Sequence, residues 1–256
     1  MMRNLLLPVA LCGALVTGVV WAQPSTEREQ ACVVLLHGLF RSAAAMKPLE
    51  WYLENEGYAT VNESYRSFST PIEELSEEVV GDGLRVCHSM GFERVHFVAH
   101  SMGGILVRQY ASMHALPQET RVVMLGPPNQ GSQVAEYWSE FDLFGLLETR
   151  VLEQLGTGSD SLSRRLGPVT FQLGVIAGNL RNRTLLPGFP DRPSDGTVSV
   201  AETVVPGMLD FLEMPVLHTF MIWDTSVMAQ AVNFLRSGAF EREGPAGPQR
   251  ETEAGN

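Results

Sequence analysis

The sequence has 256 residues, of which 45% are hydrophobic and 18% are charged, and its formal net charge at pH 7 is -11. This composition excludes a disordered chain and favours one large domain with a sizeable buried core. The acidic balance argues against general nucleic-acid binding, because proteins with that role carry basic surfaces.

The N-terminus has the pattern of an export signal. One arginine precedes LLLPVALCGALVTGVVWA, in which Thr17 is the single polar side chain, and a polar stretch follows. We therefore expect residues 1–22 to be a signal peptide that is cleaved after Ala22, which makes the protein periplasmic or secreted. An uncleaved N-terminal membrane anchor is the alternative, because the apolar stretch approaches the length that spans a bilayer.

From Ala31 onward, strand-like and helix-like segments alternate. Strands are predicted at CVVLLHG, YATVNESY, RVHFVAHS, TRVVMLGPP and VTFQLGVIAG, and a further strand is predicted within FLEMPVLHTFMI. Helices are predicted at SAAAMKPLEWYLENEG, TPIEELSEEVVGDGLRVCHSMG, GGILVRQYASMHA and TSVMAQAVNFLRSG. Strands that alternate with helices of this length predict an α/β fold with a mostly parallel, doubly wound sheet. The nearly continuous apolar strands agree with this, because such strands are covered on both faces.

The alternation breaks between residues 129 and 167. This segment contains AEYWSEFDLFGLLETRVLEQLG, which is helical in pattern and rich in large apolar side chains. We expect 129–167 to be a small helical cap inserted over one edge of the sheet, with an ordinary crossover helix as the alternative. The domain is expected to cover 23–240, and the polar segment 241–256 has no periodicity, which predicts a disordered tail.

Two cysteines remain in the mature chain, Cys32 and Cys87. Cys32 begins the first predicted strand, and the helix that contains Cys87 returns the chain to the same edge of the sheet. An exported protein can keep such a pair oxidised. The sequence therefore leaves two alternatives, a disulfide between Cys32 and Cys87 or two separate thiols.

The stretch VAHSMGGILV places Ser101 at the point where a buried strand turns into a helix. A catalytic serine in such a turn needs small residues two positions before and after it, and here these are Ala99 and Gly103. Ala99 stands where the motif G-x-S-x-G has its first glycine. The alternative is that Ser101 only caps the helix N-terminus. We predict that Ser101 is a nucleophile.

A serine hydroxyl is a weak nucleophile and needs a base, which an acid must orient. Of the six histidines, His218 in VLHTF comes late in the chain, where the order serine, acid, histidine expects the base. Asp195 in PSDGT is the predicted acid, and Asp191 is its competitor. In open α/β sheets such groups meet beyond the carboxyl ends of the strands.

The negative charge that develops on the ester oxygen needs backbone N–H donors. Met102 follows the predicted nucleophile, and Leu39 lies in HGLF after the first strand, so both are predicted donors. Phe40 and His100 lie at the same edge and are expected to contact the substrate. No His, Cys or Asp cluster has the spacing of metal ligands, and we expect neither a metal nor a cofactor.

The segments LLHGL, VAHSMGG, DGTVSV and LHTF, in this order, resemble those of the exported bacterial lipases and esterases of the α/β-hydrolase superfamily. The resemblance extends from about Cys32 to Gly238. It implies an α/β-hydrolase fold in which Ser101 is the nucleophile, Asp195 the acid and His218 the base. It also implies that the protein hydrolyses carboxylic esters through an acyl-enzyme intermediate.

Large apolar residues near the same edge favour an apolar acyl chain. They are Leu39, Phe40, Met102, Tyr137, Trp138 and Phe141. The expected partner is a small-molecule or lipid ester, with peripheral contact to a lipid interface, and the protein is expected to be a monomer. Two other functions stay open: an acyltransferase that uses the same three residues, and a non-catalytic accessory protein that uses the fold for binding.

Overall fold

The structure is a computed structural model that describes residues 31–140, 150–180 and 193–242. The predicted signal peptide, residues 1–22, lies outside the described residues, as does the tail beyond residue 242. Within the described ranges, no helix combines the length and the apolar character needed to cross a membrane.

Six parallel strands form one sheet in the order β2-β1-β3-β4-β5-β6. The strands are β1 Ala31–Leu36, β2 Ala59–Asn62, β3 Arg94–His100, β4 Arg121–Leu125, β5 Gln172–Gly178 and β6 Asp210–Met214. The central strands are almost wholly buried, because helices cover both faces of the sheet. This confirms the predicted α/β class and the parallel, doubly wound sheet.

Eight α-helices and one 3-10 helix are found in the described residues. They are α1 Ala43–Asn55, α2 Ile72–Ser89, α3 Met102–Met113, α4 Gln133–Glu140, α5 Arg150–Gln154, α6 Leu162–Arg165, α7 Val200–Thr203, the 3-10 helix His218–Trp223 and α8 Thr225–Ser237. Alternate residues of β1 enter two different cores. Val34 packs with α2 and α3 on one face of the sheet, whereas Val33 packs with α1 and α8 on the other.

The segment FLEMPVLHTFMI, predicted to contain a strand, contains the end of β6 followed by the start of the 3-10 helix. Strand β6 ends at Met214, and His218 is the first residue of the 3-10 helix. Pro215 follows the strand and has no N–H to donate to a neighbouring strand, which explains why the strand stops there. The helix α7 was not predicted, because four residues are too few to show helical periodicity.

Cys32 and Cys87 form a disulfide with a Cα–Cα distance of 5.8 Å. It links β1 to α2, and both cysteines are fully buried. Of the two outcomes that the sequence left open, the structure therefore has the bridged one.

Candidate active site

Ser101 lies in the tight turn between β3 and α3. Its backbone has φ 55° and ψ -125°, a conformation that side-chain-bearing residues rarely adopt. The N–H of Ser101 donates to the carbonyl oxygen of Leu125 at 2.9 Å, which holds the turn on β4. Although Ser101 occupies the N-cap position of α3, its side chain makes no capping hydrogen bond. The hydroxyl is therefore not used to stabilise the helix.

The turn depends on small residues on both sides of Ser101. A Cβ placed on Gly103 would lie 2.7 Å from the carbonyl oxygen of Leu36, which is too close for a side chain. Ala99 is fully buried and pairs with Leu36 on β1 and with Met124 on β4. A methyl group thus fits at position 99, where the motif has glycine.

His218 and Asp195 are joined by two hydrogen bonds. The Nδ1 atom of His218 lies 2.6 Å from Oδ2 of Asp195, and the backbone N–H of His218 donates to the Asp195 carbonyl oxygen at 3.0 Å. The other carboxylate oxygen of Asp195 accepts from the N–H groups of Thr197 at 2.8 Å and Val198 at 2.7 Å. These bonds fix the buried carboxylate against Nδ1, so that Nε2 of His218 is free to accept a proton.

Two glycines make room for this pair, and neither is recognisable as a site residue from the sequence. A Cβ on Gly126, after β4, would lie 2.9 Å from both Oδ2 of Asp195 and Nδ1 of His218. A Cβ on Gly178, at the end of β5, would lie 2.4 Å from the Cβ of Asp195. No local pattern marks these positions, because the atoms that they accommodate come from distant parts of the chain.

The loop after β1 forms a turn beside Ser101. Phe40 has φ 57°, and its N–H donates to the Ser67 hydroxyl at 3.0 Å. The N–H groups of Leu39 and Met102 have no hydrogen-bond acceptor among the described residues. Leu39 and Met102 therefore keep the free donors that a developing negative charge would need, whereas the Phe40 N–H is already used.

His100 is buried beside His218, and it lines the cavity at Ser101. Its Nε2 lies 2.9 Å from the His218 carbonyl oxygen, and the two rings are 4.7 Å apart. Burial lowers the pKa of His100 well below its usual value, and the neighbouring His218 and Arg41 lower it further. His100 therefore stays neutral and donates its Nε2–H to the backbone of His218.

A cavity of about 510 Å³ opens at Ser101. Its lining includes Leu39, Phe40, Arg41, His100, Ser101, Val134, Ala135, Trp138, Leu152, Leu155, His218 and Thr219. The structure thus brings Ser101, His218, Leu39, Phe40 and His100 to one cavity, with Asp195 behind His218. The competing Asp191 and the predicted lining residue Phe141 lie outside the described residues. Within the described ranges, no group of three or more His, Cys, Asp or Glu could hold a metal ion.

Residues 33–242 match the family model described as "Alpha/beta hydrolase family". The chain belongs to the alpha/beta hydrolase family. No curated protein has a sequence that matches this alpha/beta hydrolase.

Solved structures share the fold at low sequence identity. The lipase BlEst2 from Bacillus licheniformis matches in its propeptide form with a TM-score of 0.63 and 19% identity, over 84% of this chain and 52% of that chain. Its mature form matches with a TM-score of 0.58 and 18% identity, over 79% of this chain and 91% of that chain. Phospholipase PlaB from Legionella pneumophila, in complex with thio-NAD, matches with a TM-score of 0.56 and 20% identity, over 68% of this chain and 44% of that chain. The alpha/beta hydrolase thus spans about half the length of the propeptide form and less than half of the phospholipase.

Proposed function

We propose that this alpha/beta hydrolase cleaves carboxylic esters, with Ser101 as nucleophile, His218 as general base and Asp195 as the acid that orients His218. One observation carries the proposal. The 2.6 Å contact between Asp195 and His218 adjoins a cavity that is also lined by Ser101, whose hydroxyl is not used by its helix.

In the proposed mechanism, the Ser101 hydroxyl oxygen attacks the ester carbonyl carbon while Nε2 of His218 takes its proton. The Leu39 and Met102 N–H groups stabilise the resulting oxyanion, and losing one such donor typically costs about a hundredfold in rate. The bond to the alcohol then breaks, and His218 gives the proton to the leaving oxygen. Water, activated by His218, hydrolyses the acyl-enzyme and restores Ser101.

An apolar acyl chain fits the walls of the cavity. Residues 129–167, which we call the insert, contribute Val134, Ala135, Leu152 and Leu155 to the lining, so the insert would act as a cap over the chain. Phe40 and Trp138 line the same cavity and are 58% and 51% exposed. These aromatic rings support peripheral contact with a lipid interface, and the names lipase and phospholipase of the similar structures agree with a lipid ester.

The serine assignment is tested with Ser101→Ala. We expect hydrolysis of p-nitrophenyl esters to fall by at least about a thousandfold and labelling by a fluorophosphonate probe to be lost. Ser112→Ala, at an exposed position of the same helix, is the matched control and should retain both. Full esterase activity in Ser101→Ala would refute the proposal.

The acid is tested by replacing the two competing aspartates separately. Asp195→Asn should lower kcat by about a thousandfold or more, because an amide no longer holds His218 in the tautomer that accepts a proton at Nε2. Asp191→Asn should retain most of the activity. A large loss in Asp191→Asn and a small one in Asp195→Asn would transfer the role to Asp191.

The ester substrate is defined by a chain-length series of p-nitrophenyl esters, followed by an emulsified triglyceride. Longer acyl chains should give the higher kcat/KM, because more apolar surface is buried against the insert. Added alcohol separates hydrolysis from acyl transfer. A product that is mainly the new ester, rather than the free acid, would show an acyltransferase.

We also propose that the protein is exported and loses residues 1–22. The buried Cys32–Cys87 disulfide supports this, since such bonds persist in oxidising compartments. The test is cell fractionation with N-terminal sequencing, for which we expect a mature chain that begins at Gln23. A chain that retains residues 1–22 in the membrane fraction would instead indicate an anchor.

A further inference from the structure

Arg41 carries the only formal charge among the described residues that line the cavity. Its side chain is exposed, and its Nη2 donates to the Thr219 hydroxyl oxygen at 3.0 Å. No carboxylate lies within ion-pair distance of Arg41 in the described ranges. Among the described residues, Arg41 is therefore a cation without a carboxylate partner in the wall of a cavity whose other lining residues carry no formal charge.

The position of Arg41 relates it to one part of the substrate. Its hydrogen-bond partner, Thr219, directly follows His218, so the guanidinium lies on the side of the cavity where the base lies. His218 must come within hydrogen-bond distance of the leaving oxygen, because it returns the proton to the alcohol. In an ester bound as the proposed mechanism requires, the alcohol part would therefore lie beside Arg41, whereas the insert supplies the apolar wall.

We propose that Arg41 binds a phosphate group on the alcohol part of the ester, an inference that rests on the proposed ester hydrolysis. A guanidinium has five N–H donors in a planar fork, and one of its nitrogens is engaged by Thr219. Since Thr219 accepts this bond through its oxygen, its own hydroxyl proton is free to donate. A phosphate has enough acceptor oxygens to bind the guanidinium and the Thr219 hydroxyl together.

A purely structural role for Arg41 makes a different prediction. If Arg41 only ties the loop after β1 to the 3-10 helix, its replacement lowers the hydrolysis of every ester by the same factor. If Arg41 binds a phosphate, its replacement lowers the hydrolysis of phosphate-bearing esters selectively. The decisive quantity is therefore the ratio of kcat/KM for a phosphate-bearing ester to kcat/KM for a neutral ester with the same acyl chain.

The experiment uses a monoacylglycerol and the corresponding monoacylglycerol phosphate, each below the concentration at which it forms micelles. For the wild-type protein we expect the ratio to be roughly ten, mainly through a lower KM for the phosphate ester, and to fall with added sodium chloride. In Arg41→Gln the ratio should fall to about one, and Arg41→Lys should retain part of it. Arg66→Gln is the matched control, because Arg66 is exposed next to Ser67 but does not line the cavity.

The outcomes are distinguishable. A wild-type ratio near one, a ratio that survives in Arg41→Gln, or a stronger preference for an ester with a carboxylate of similar size would overturn the phosphate assignment, while ester hydrolysis itself would stand. Hydrolysis of neither ester would contradict the proposed function. The phosphate could belong to a lipid headgroup or to a dissolved ester, and these are distinguished by testing phosphatidylglycerol vesicles as a substrate. Their hydrolysis supports a lipid headgroup, and activity on the soluble phosphate ester alone supports a dissolved substrate.

Discussion

The contact between Asp195 and His218 depends on a neighbouring residue that has no side chain. Gly126 has φ 58°, and a Cβ there would lie 2.9 Å from both atoms of the contact. We expect Gly126→Ala to lower kcat by about a hundredfold or more, because the methyl group pushes His218 and Asp195 apart. Unfolding in urea should also show a loss of about 1–2 kcal/mol from the backbone strain.

Backbone strain alone is separated from the steric effect by Gly91→Ala. Gly91 has φ 89°, and nothing lies within 4 Å of a Cβ placed there. Gly91→Ala should therefore lose stability to a similar extent and keep its kcat. If Gly126→Ala also keeps its kcat, the proposed arrangement of Asp195 and His218 is wrong.

A site residue could be predicted from the sequence where its structural requirements are met by residues close to it in the chain. Ser101 could be predicted because the turn that holds it requires small neighbours within two positions, and Ala99 and Gly103 provide them. An aspartate followed by glycine is common in any loop, so the Asp-Gly pair at Asp195 is not evidence for a catalytic acid. Asp195 could therefore be ranked above Asp191 only by its position in the chain. Gly126 could not be predicted, because the atoms that exclude a side chain there belong to residues 195 and 218.

One buried side chain, that of Arg108, forms hydrogen bonds with both ends of the insert. Arg108 of α3 donates from Nη1 to the Asn129 carbonyl oxygen at 2.9 Å and from Nη2 to the Gly167 carbonyl oxygen at 2.7 Å. Burial lowers the pKa of Arg108 to about 10, so it remains charged at neutral pH. Because it lies at the base of a segment that lines the cavity, Arg108 connects the fold to the proposed acyl site.

Replacement of Arg108 should affect long substrates most. Arg108→Met leaves two carbonyl oxygens of the insert without their donor, and we expect a loss of about 2–4 kcal/mol in the free energy of unfolding. KM for a long-chain p-nitrophenyl ester should rise roughly three- to tenfold, with a smaller change for the acetate ester. Arg165→Gln, an exposed arginine of the same insert, is the control. An equal rise in KM for both esters would contradict this role of Arg108.

The alternating strands and helices were predictable because parallel strands, buried on both faces, read as continuous apolar runs. The 3-10 helix that begins at His218 could not be predicted, because its apolar residues follow Pro215 in the same pattern as those of the preceding strand. Helix α7 escaped prediction for another reason. Its start is fixed by a capping box in which Ser199 and Glu202 bond to each other's backbone, a signal too short to separate from a turn.

For the molecule as a whole, a buried histidine makes stability depend on pH. His96 on β3 is 2% exposed, and its Nδ1 accepts the backbone N–H of Arg121 at 3.1 Å. Burial, together with the charges of Arg121 and Arg94, lowers the pKa of His96 to about 4. The unfolded chain takes up this proton near pH 6.5, whereas the folded chain does so only near pH 4, so acid favours the unfolded state.

Stability from His96 should therefore be fully present above pH 6.5 and be lost as the pH falls toward 4, by about 3 kcal/mol in total. Between pH 7 and pH 5 we expect urea unfolding to report about 2 kcal/mol of this loss. His96→Asn keeps an acceptor for the Arg121 N–H but has no ring to titrate. Its loss of unfolding free energy between pH 7 and pH 5 should therefore be smaller than that of the wild type by about 2 kcal/mol. His88→Asn, at an exposed histidine, should follow the wild type. If His96→Asn loses as much stability as the wild type, the acid sensitivity originates elsewhere in the fold.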